Sequence, residues 1–215
     1  MKVGILGSGD VARSLAKGFL ATGHGVRLGS RSGQKEELAQ WISAEKLSVS
    51  QGTFGATAEW GEMVVVATHG MTTELVVRSA GVDHFAGKVV IDVTNPLLMR
   101  PDGPPTLGIS GGDSAGEQLQ RILPDAHVVK AFNIIGDTSF FRPDFPDGPP
   151  DMFICGNDAG AKSTVTQLLH DFGWTSVIDI GGIAGSRELE SLCILWVKSV
   201  MALGSRSIAF RLLRK

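Results

Sequence analysis

The chain reads as an α/β protein: a doubly wound, mostly parallel sheet with a small C-terminal α/β extension. Three observations predict it. Short apolar runs rich in Val and Ile (KVGIL, EMVVVAT, KVVIDVT, HVVK) alternate with longer stretches of helical period. That is the pattern of strands buried on both faces, joined by crossover helices. The first of these runs ends in glycines that open directly into a helix, the entry turn of a nucleotide-binding βα unit. Glycine is also abundant, 28 of 215 residues, as many tight strand–helix turns demand. A hydrophobic fraction of 43% and a charged fraction of 20% allow a sizeable core and argue against disorder.

Each element has its own justification. Residues 2–9 form a strand running into glycines. In 10–23, Val11, Ala12, Leu15 and Phe19 recur at helical spacing and Gly23 stops the helix. GVRLGS, 25–30, is a second strand. The next helix, 33–45, carries Leu38, Trp41 and Ile42 on one side. Residues 62–68 and 87–94 are buried strands with a helix, 72–81, between them. A helix at 114–124 is ended by Pro124, and 126–133 is a further strand. DMFICGN and TSVIDIG then read as two strands around a helix at 159–173. The last long helix spans 184–203, with Leu189, Leu192, Trp196, Val200 and Leu203 at three- and four-residue intervals. The pentapeptide PDGPP occurs at 101–105 and again at 146–150. Both copies read as stiff surface connectors, one of which could rim a cleft.

Composition excludes several function classes. Net charge is −2 with acids and bases mixed, so neither a nucleic-acid surface nor a polybasic membrane patch is expected. No uncharged apolar run approaches the roughly 18 residues of a membrane span, and the apolar start is too short for a secretory signal. Cys155 and Cys193 lie far apart and read as core thiols in a reducing, cytoplasmic setting. His24, His84, His127 and His170 are scattered and read as surface residues. No metal site and no Ser-His-Asp arrangement is legible. There is no tyrosine, which rules out the Tyr/Lys proton donor of short-chain dehydrogenases.

The chemistry sits at strand ends. Gly7-x-Gly9-x-x-Ala12 joins the first strand to the first helix. Gly7 permits the tight turn, Gly9 lets the backbone approach a pyrophosphate, and Ala12 lets helix and strand pack closely. The anion then rests on the helix N-terminus; Asp10 beside it reads as a cap of that helix rather than a ligand contact. The second strand ends in Gly29, Ser30 and Arg31, where a carboxylate would hold the ribose of NAD. A hydroxyl and a guanidinium instead suit a 2′-phosphate, with Lys35 one turn on adding charge. The cofactor expected is NADP(H); the alternative is a solvated Arg31 at a turn. Thr68 and His69 end one buried strand, Asn95 and Pro96 follow another, and Asn133 follows a third. His69 stands near the nicotinamide ribose or acceptor, or is a surface bystander. Asn95 and Asn133 either hold the carboxamide or bond their own backbone.

The segments GILGSGDVARSLAKGF, LGSRS, KVVIDVTNPL, VVKAFN, MFICGNDAGAK and GGIAGSRELESL, in this order, resemble the NADP oxidoreductases dependent on the deazaflavin coenzyme F420. They are also similar to the cytosolic reductase domain of the six-transmembrane epithelial antigen metalloreductases. The resemblance implies NADPH held by Ser8, Gly9, Asp10 and Val11 at the pyrophosphate and by Ser30, Arg31 and Lys35 at the 2′-phosphate. It implies a homodimer and a small-molecule acceptor, coenzyme F420 or a flavin, lying over the nicotinamide. We take 1–140 as the NADP-binding Rossmann-type domain. Residues 141–215 are then a small unit that closes the acceptor cleft and forms the dimer contact or covers the sheet. The expected reaction is hydride transfer between NADP(H) and a flavin-like or deazaflavin acceptor, which needs positioning more than a side-chain acid. No catalytic residue is named; His69 and Asn133 are candidates for the acceptor pocket. Imine or carbonyl reduction would require Lys130 or His69 as proton donor. A non-catalytic NADPH-binding redox sensor is the third reading.

Overall fold

The computed structural model describes residues 1–213. The elements run β1 (Lys2–Leu6), α1 (Asp10–Ala21), β2 (Gly25–Ser30), α2 (Glu36–Ala44), β3 (Val49–Thr53), α3 (Phe54–Trp60), β4 (Met63–Val66) and α4 (Thr73–Ala80). They continue with β5 (Val89–Asp92), β6 (Leu97–Arg100), β7 (Gly103–Leu107), α5 (Ala115–Ile122), β8 (His127–Lys130), β9 (Asp151–Gly156), α6 (Ala159–Asp171), β10 (Ser176–Asp179) and α7 (Ser186–Leu203). Eight strands form one sheet in the order β10-β9-β8-β5-β4-β1-β2-β3. Every pair is parallel except β8–β9, where Val129 faces Gly156 and Lys130 faces Cys155. The expected doubly wound class is the one found, and β9 and β10 extend the same sheet rather than starting another.

Side-chain alternation divides the core in two. Val3, Ile5, Met63, Val65, Ile91 and Val129 point to the face covered by α1 and α6, meeting Leu15, Phe19, Val165 and Leu169. Val64, Val66, Val90 and Val128 point to the other face, meeting Val76 and Val77 of α4 and Leu119 of α5. Both faces are covered, so the central strands β1, β4 and β5 read as apolar runs. Each such side chain stabilises by roughly 1.5–3 kcal/mol on burial. A third, smaller cluster of Ile134, Phe153, Cys155 and Leu189 seats α7.

Chain order reverses at β1, which pairs β2 on one side and β4 on the other. Such a switch point opens a crevice at the carboxyl ends of the strands. Three local expectations are corrected. The first PDGPP is the turn and second strand of a hairpin, with Leu97 facing Leu107 and Arg100 facing Gly103. Pro104 and Pro105 cannot donate to a ladder, and the register shift between Leu98 and Arg100 absorbs this. Asp10 does not cap α1: the N-cap is Gly9, with no side-chain hydrogen bond, and Asp10 lies in the first turn, where its charge suits the dipole. The last helix starts at Ser186, because Ile183–Gly185 form a separate 3-10 turn.

Candidate cofactor and acceptor site

Two loops meet over the switch point. The Gly7 amide donates to the Gly29 carbonyl at 3.0 Å, fixing the glycine turn against the end of β2. Gly7 has φ +146°, and a Cβ there would drive into the Ala67 carbonyl, so only glycine fits. Gly9 differs: a Cβ on it would meet nothing within 4 Å. Its lack of a side chain serves no internal contact. Lys35 Nζ donates to Ser8 Oγ at 3.0 Å across the mouth, and Arg13 Nε to the Ser8 carbonyl at 3.1 Å. The Lys35 amide is held by Gln51 Oε1 at 2.9 Å, which pins the loop after β2 to β3.

Between these loops lies a slot of about 290 Å³ lined by Gly7, Ser8, Ser30, Arg31, Lys35 and Thr68. Its charged lining is wholly cationic. Ser30 is only 3% exposed and its Oγ has no hydrogen-bond partner. An orphaned buried hydroxyl costs about 1–3 kcal/mol, and here it borders a cationic slot. A phosphate group fits this corner: it would accept from the hydroxyl and pair with Arg31 and Lys35.

Beyond β1 in the sheet come β4, β5 and β8, and the residues after β5 and β8 bond to one another. Asn95 Nδ2 donates to the Asn133 carbonyl at 2.8 Å, and Asn133 Nδ2 donates to Asn95 Oδ1 at 2.9 Å and to the Leu189 carbonyl at 3.0 Å. The two asparagines thus clamp each other and α7, rather than bonding their own backbone. Both acceptors face Nδ2, so the amide orientation of Asn133 is set and its buried Oδ1 is left without a partner. Phe132 just before it adopts φ +63°, a sparsely populated conformation for an aromatic residue that turns the chain out of β8.

Beneath the clamp, Lys130 is fully buried. Its ammonium donates to Asp92 Oδ2 at 2.8 Å, the Thr94 carbonyl at 2.8 Å and Glu190 Oε1 at 2.9 Å. Glu190 also accepts from the Ala115 and Gly116 amides at the start of α5, each at 3.1 Å. Burial works against the charge on Lys130, but Asp92 and Glu190 outweigh it and hold its pKa above the ordinary lysine value. All three ammonium protons are used, so Lys130 has none to offer a substrate. Burial pushes the thiols up as well, Cys155 to about 11 and Cys193 to about 12, which leaves both neutral and inert.

The structure brings Gly7, Ser8, Ser30, Arg31, Lys35 and Thr68 together around the slot. Gly9 is the N-cap of α1 and Asp10 and Val11 its first residues; they follow Ser8 in the chain and are not part of the slot lining. Asn95, Pro96 and Asn133 follow the ends of β5 and β8 and are not part of the slot lining; the Pro96 carbonyl accepts from the Gly108 amide at 2.7 Å. His69 is exposed and outside the slot lining. Four lining residues were not legible: Phe54, Thr72, Leu75 and Val76. Leu75 falls outside the buried stripe of α4 formed by Thr73, Val76, Val77 and Ala80, and it is 71% exposed. His69→Ala should leave NADPH affinity within about twofold by fluorescence titration and alter the KM of the acceptor. If neither quantity moves, His69 is a bystander.

Fold and slot together define a protein of the Rossmann dinucleotide-binding class. Residues 2–96 match the family model described as NADP oxidoreductase coenzyme F420-dependent. A crystal structure from Arthrobacter sp. FB24, provisionally named an F420-dependent NADP-reductase, superposes with a TM-score of 0.94 at 35% identity and covers 100% of both chains. The F420-dependent NADP reductase of Methanocaldococcus jannaschii is 28% identical over 92% of this chain and 91% of its own. Metalloreductase STEAP3 of Rattus norvegicus is 33% identical over 94% of this chain. The match spans 39% of that metalloreductase's length. The chain belongs to the coenzyme F420-dependent NADP oxidoreductase family.

Proposed function

We propose that the chain binds NADP(H) in the β1–β2 slot and transfers a hydride between it and a flavin-like or deazaflavin acceptor. The observation that carries this reading is the cationic corner of Ser30, Arg31 and Lys35, with the orphaned Ser30 hydroxyl at its base. When bound, the nicotinamide ring supplies or takes up the hydride. The chain's residues bind and orient. Gly9 and the first amides of α1 face the pyrophosphate, and Arg31 and Lys35 hold the 2′-phosphate. The Asn95–Asn133 clamp offers the free Asn133 Oδ1 to the carboxamide end of the cleft. The unit 141–215 closes the cleft through the Leu189 contact of α7. A dimer contact falls on the outer end of α7, where Met201 and Leu203 are exposed.

Imine or carbonyl reduction is disfavoured because, of its two candidate donors, Lys130 is saturated by Asp92, Thr94 and Glu190, and His69 is exposed outside the slot lining. Among the described residues no helix is long and apolar enough to cross a membrane. The free thiols Cys155 and Cys193 suit a reducing, cytoplasmic setting. Arg31→Ala should weaken NADPH by about 1–3 kcal/mol, roughly 5- to 150-fold, and leave NADH nearly unaffected. Parallel titration of both nucleotides tests this. Equal losses would remove the phosphate assignment, and oxidation of NADPH by no acceptor in anaerobic mixing would favour the sensor reading.

A further inference from the structure

A second, larger cavity of about 630 Å³ lies between the 107–113 loop and α7. It adjoins the clamp: Gly108 is bonded to Pro96, next to Asn95, and Glu190 in its wall follows Leu189, whose carbonyl holds Asn133. Its volume lies within the range of pockets that bury a ring-sized ligand. The wall is apolar at Ile109 and Leu192, with the hydroxyls of Ser110 and Ser191. Its charges are unlike those of the nucleotide slot. Asp113, Glu188 and Glu190 line it against a single cation, Arg187. That guanidinium is already forked onto Glu117 through Nε and Nη2.

The neighbourhood keeps its negative balance at neutral pH. The Arg121 hydrogen bond to Asp113 holds that carboxyl down at about 2, and Arg187 lowers Glu117. Lys130 is shared between Asp92 and Glu190. Glu188 has no ion pair among the described residues. Five carboxylates therefore face three cations (Arg121, Lys130 and Arg187), and each of those cations is engaged. A phosphate or polycarboxylate tail entering this cavity would meet like charge, and the one cation of its lining, Arg187, is already engaged.

We infer that the acceptor taken by this chain is an uncharged planar ring system of the riboflavin type, seated in the 107–113/α7 cavity, and that polyanionic acceptors are discriminated against there. The inference rests on the hydride-transfer reading and narrows it. Apolar walls take the ring faces, Ser110 and Ser191 offer polar contacts at its edge, and the carboxylates favour N–H donors over anions.

The test uses the intact protein with NADPH and two acceptors that share one isoalloxazine ring but differ in charge, riboflavin and flavin mononucleotide, together with coenzyme F420 as an anionic deazaflavin. The expected kcat/KM is at least tenfold higher for riboflavin than for either anionic acceptor. That gap should narrow as salt is raised, because screening weakens the repulsion. Glu188→Lys should raise the ratio of flavin mononucleotide to riboflavin efficiency several-fold. Equal or better use of an anionic acceptor, or a ratio unmoved by E188K, overturns the inference. If no acceptor oxidises NADPH, the hydride-transfer reading fails, and equilibrium binding decides the cavity separately. Riboflavin fluorescence quenched by the NADP-loaded protein, with flavin mononucleotide at least tenfold weaker, supports the selectivity. Equal binding of both flavins, or none, rejects it.

Discussion

Lys130→Met should destabilise the protein by about 3–5 kcal/mol, a drop in melting temperature of roughly 6–20 °C for a chain of this size. The reason is geometric. Asp92 and Lys130 are 0% exposed and Glu190 is 1% exposed. Removing the ammonium leaves two buried carboxylates without their cation and the Thr94 carbonyl without its donor. Asp92 keeps the Thr94 amide and hydroxyl, and Glu190 keeps two amides of α5, but these offset only part of the charge. Adding Asp92→Asn and Glu190→Gln to the variant should recover part of the loss, because the orphaned charges go with them. The sign of the pH dependence follows from the raised pKa of Lys130: its contribution is present below lysine's ordinary pKa and is lost only as pH climbs through the folded value. Melting curves near neutral pH therefore report it in full. A melting temperature within a degree or two of the parent would show that the triad does not hold α5 and α7 to the sheet. NADPH affinity should move far less than stability, since none of Asp92, Lys130 and Glu190 lines the slot.

Much of this fold was legible because its strands are buried on both faces. Runs such as MVVV and VVID admit no other reading once glycines and helical periods flank them. The parts that escaped have physical reasons. β3 is an edge strand in which no residue is fully buried, so VSQGT carries no apolar signal. α3 is seven residues long and packs through Thr57 and Ala58, small side chains that let it press against β1 and β2. Phe54 lies on that helix, so no local pattern marks it as part of the slot lining. β7 contains two prolines, Pro104 and Pro105, a composition that normally argues against a strand. Ser30 and Arg31 were legible because a cation replaces the usual carboxylate at a position fixed by strand length. The partner of Asn133 was not: its bonds reach Asn95 and Leu189, 38 and 56 residues away in the chain, and no local pattern encodes such a pair. The same holds for Lys130, whose strand position was read correctly while its carboxylates come from β5 and α7.

Gly9→Val should leave the fold intact and remove nucleotide binding, and the contrast with Gly7 makes the result diagnostic. Gly9 has φ −82° and ψ −173°, extended backbone that valine adopts readily. Its added Cβ would touch nothing within 4 Å. The cost to the protein is limited to a poorer N-cap, about 1 kcal/mol. A pyrophosphate lying against the α1 N-terminus would be pushed away from the amides that receive it. Losing two such charge-assisted hydrogen bonds, at about 1.5–3 kcal/mol each, weakens binding by roughly 100-fold or more. Gly7→Ala, by contrast, combines a forbidden φ with a clash on the Ala67 carbonyl and should fail at folding. Two measurements on each variant separate these outcomes: the melting temperature alone, and its rise on adding NADPH, which scales with the logarithm of ligand over Kd. For Gly9→Val the first should stay near the parent and the second should vanish. A full NADPH-dependent rise in that variant would mean the pyrophosphate lies somewhere other than the start of α1, and the cationic corner at Arg31 would then need a different ligand.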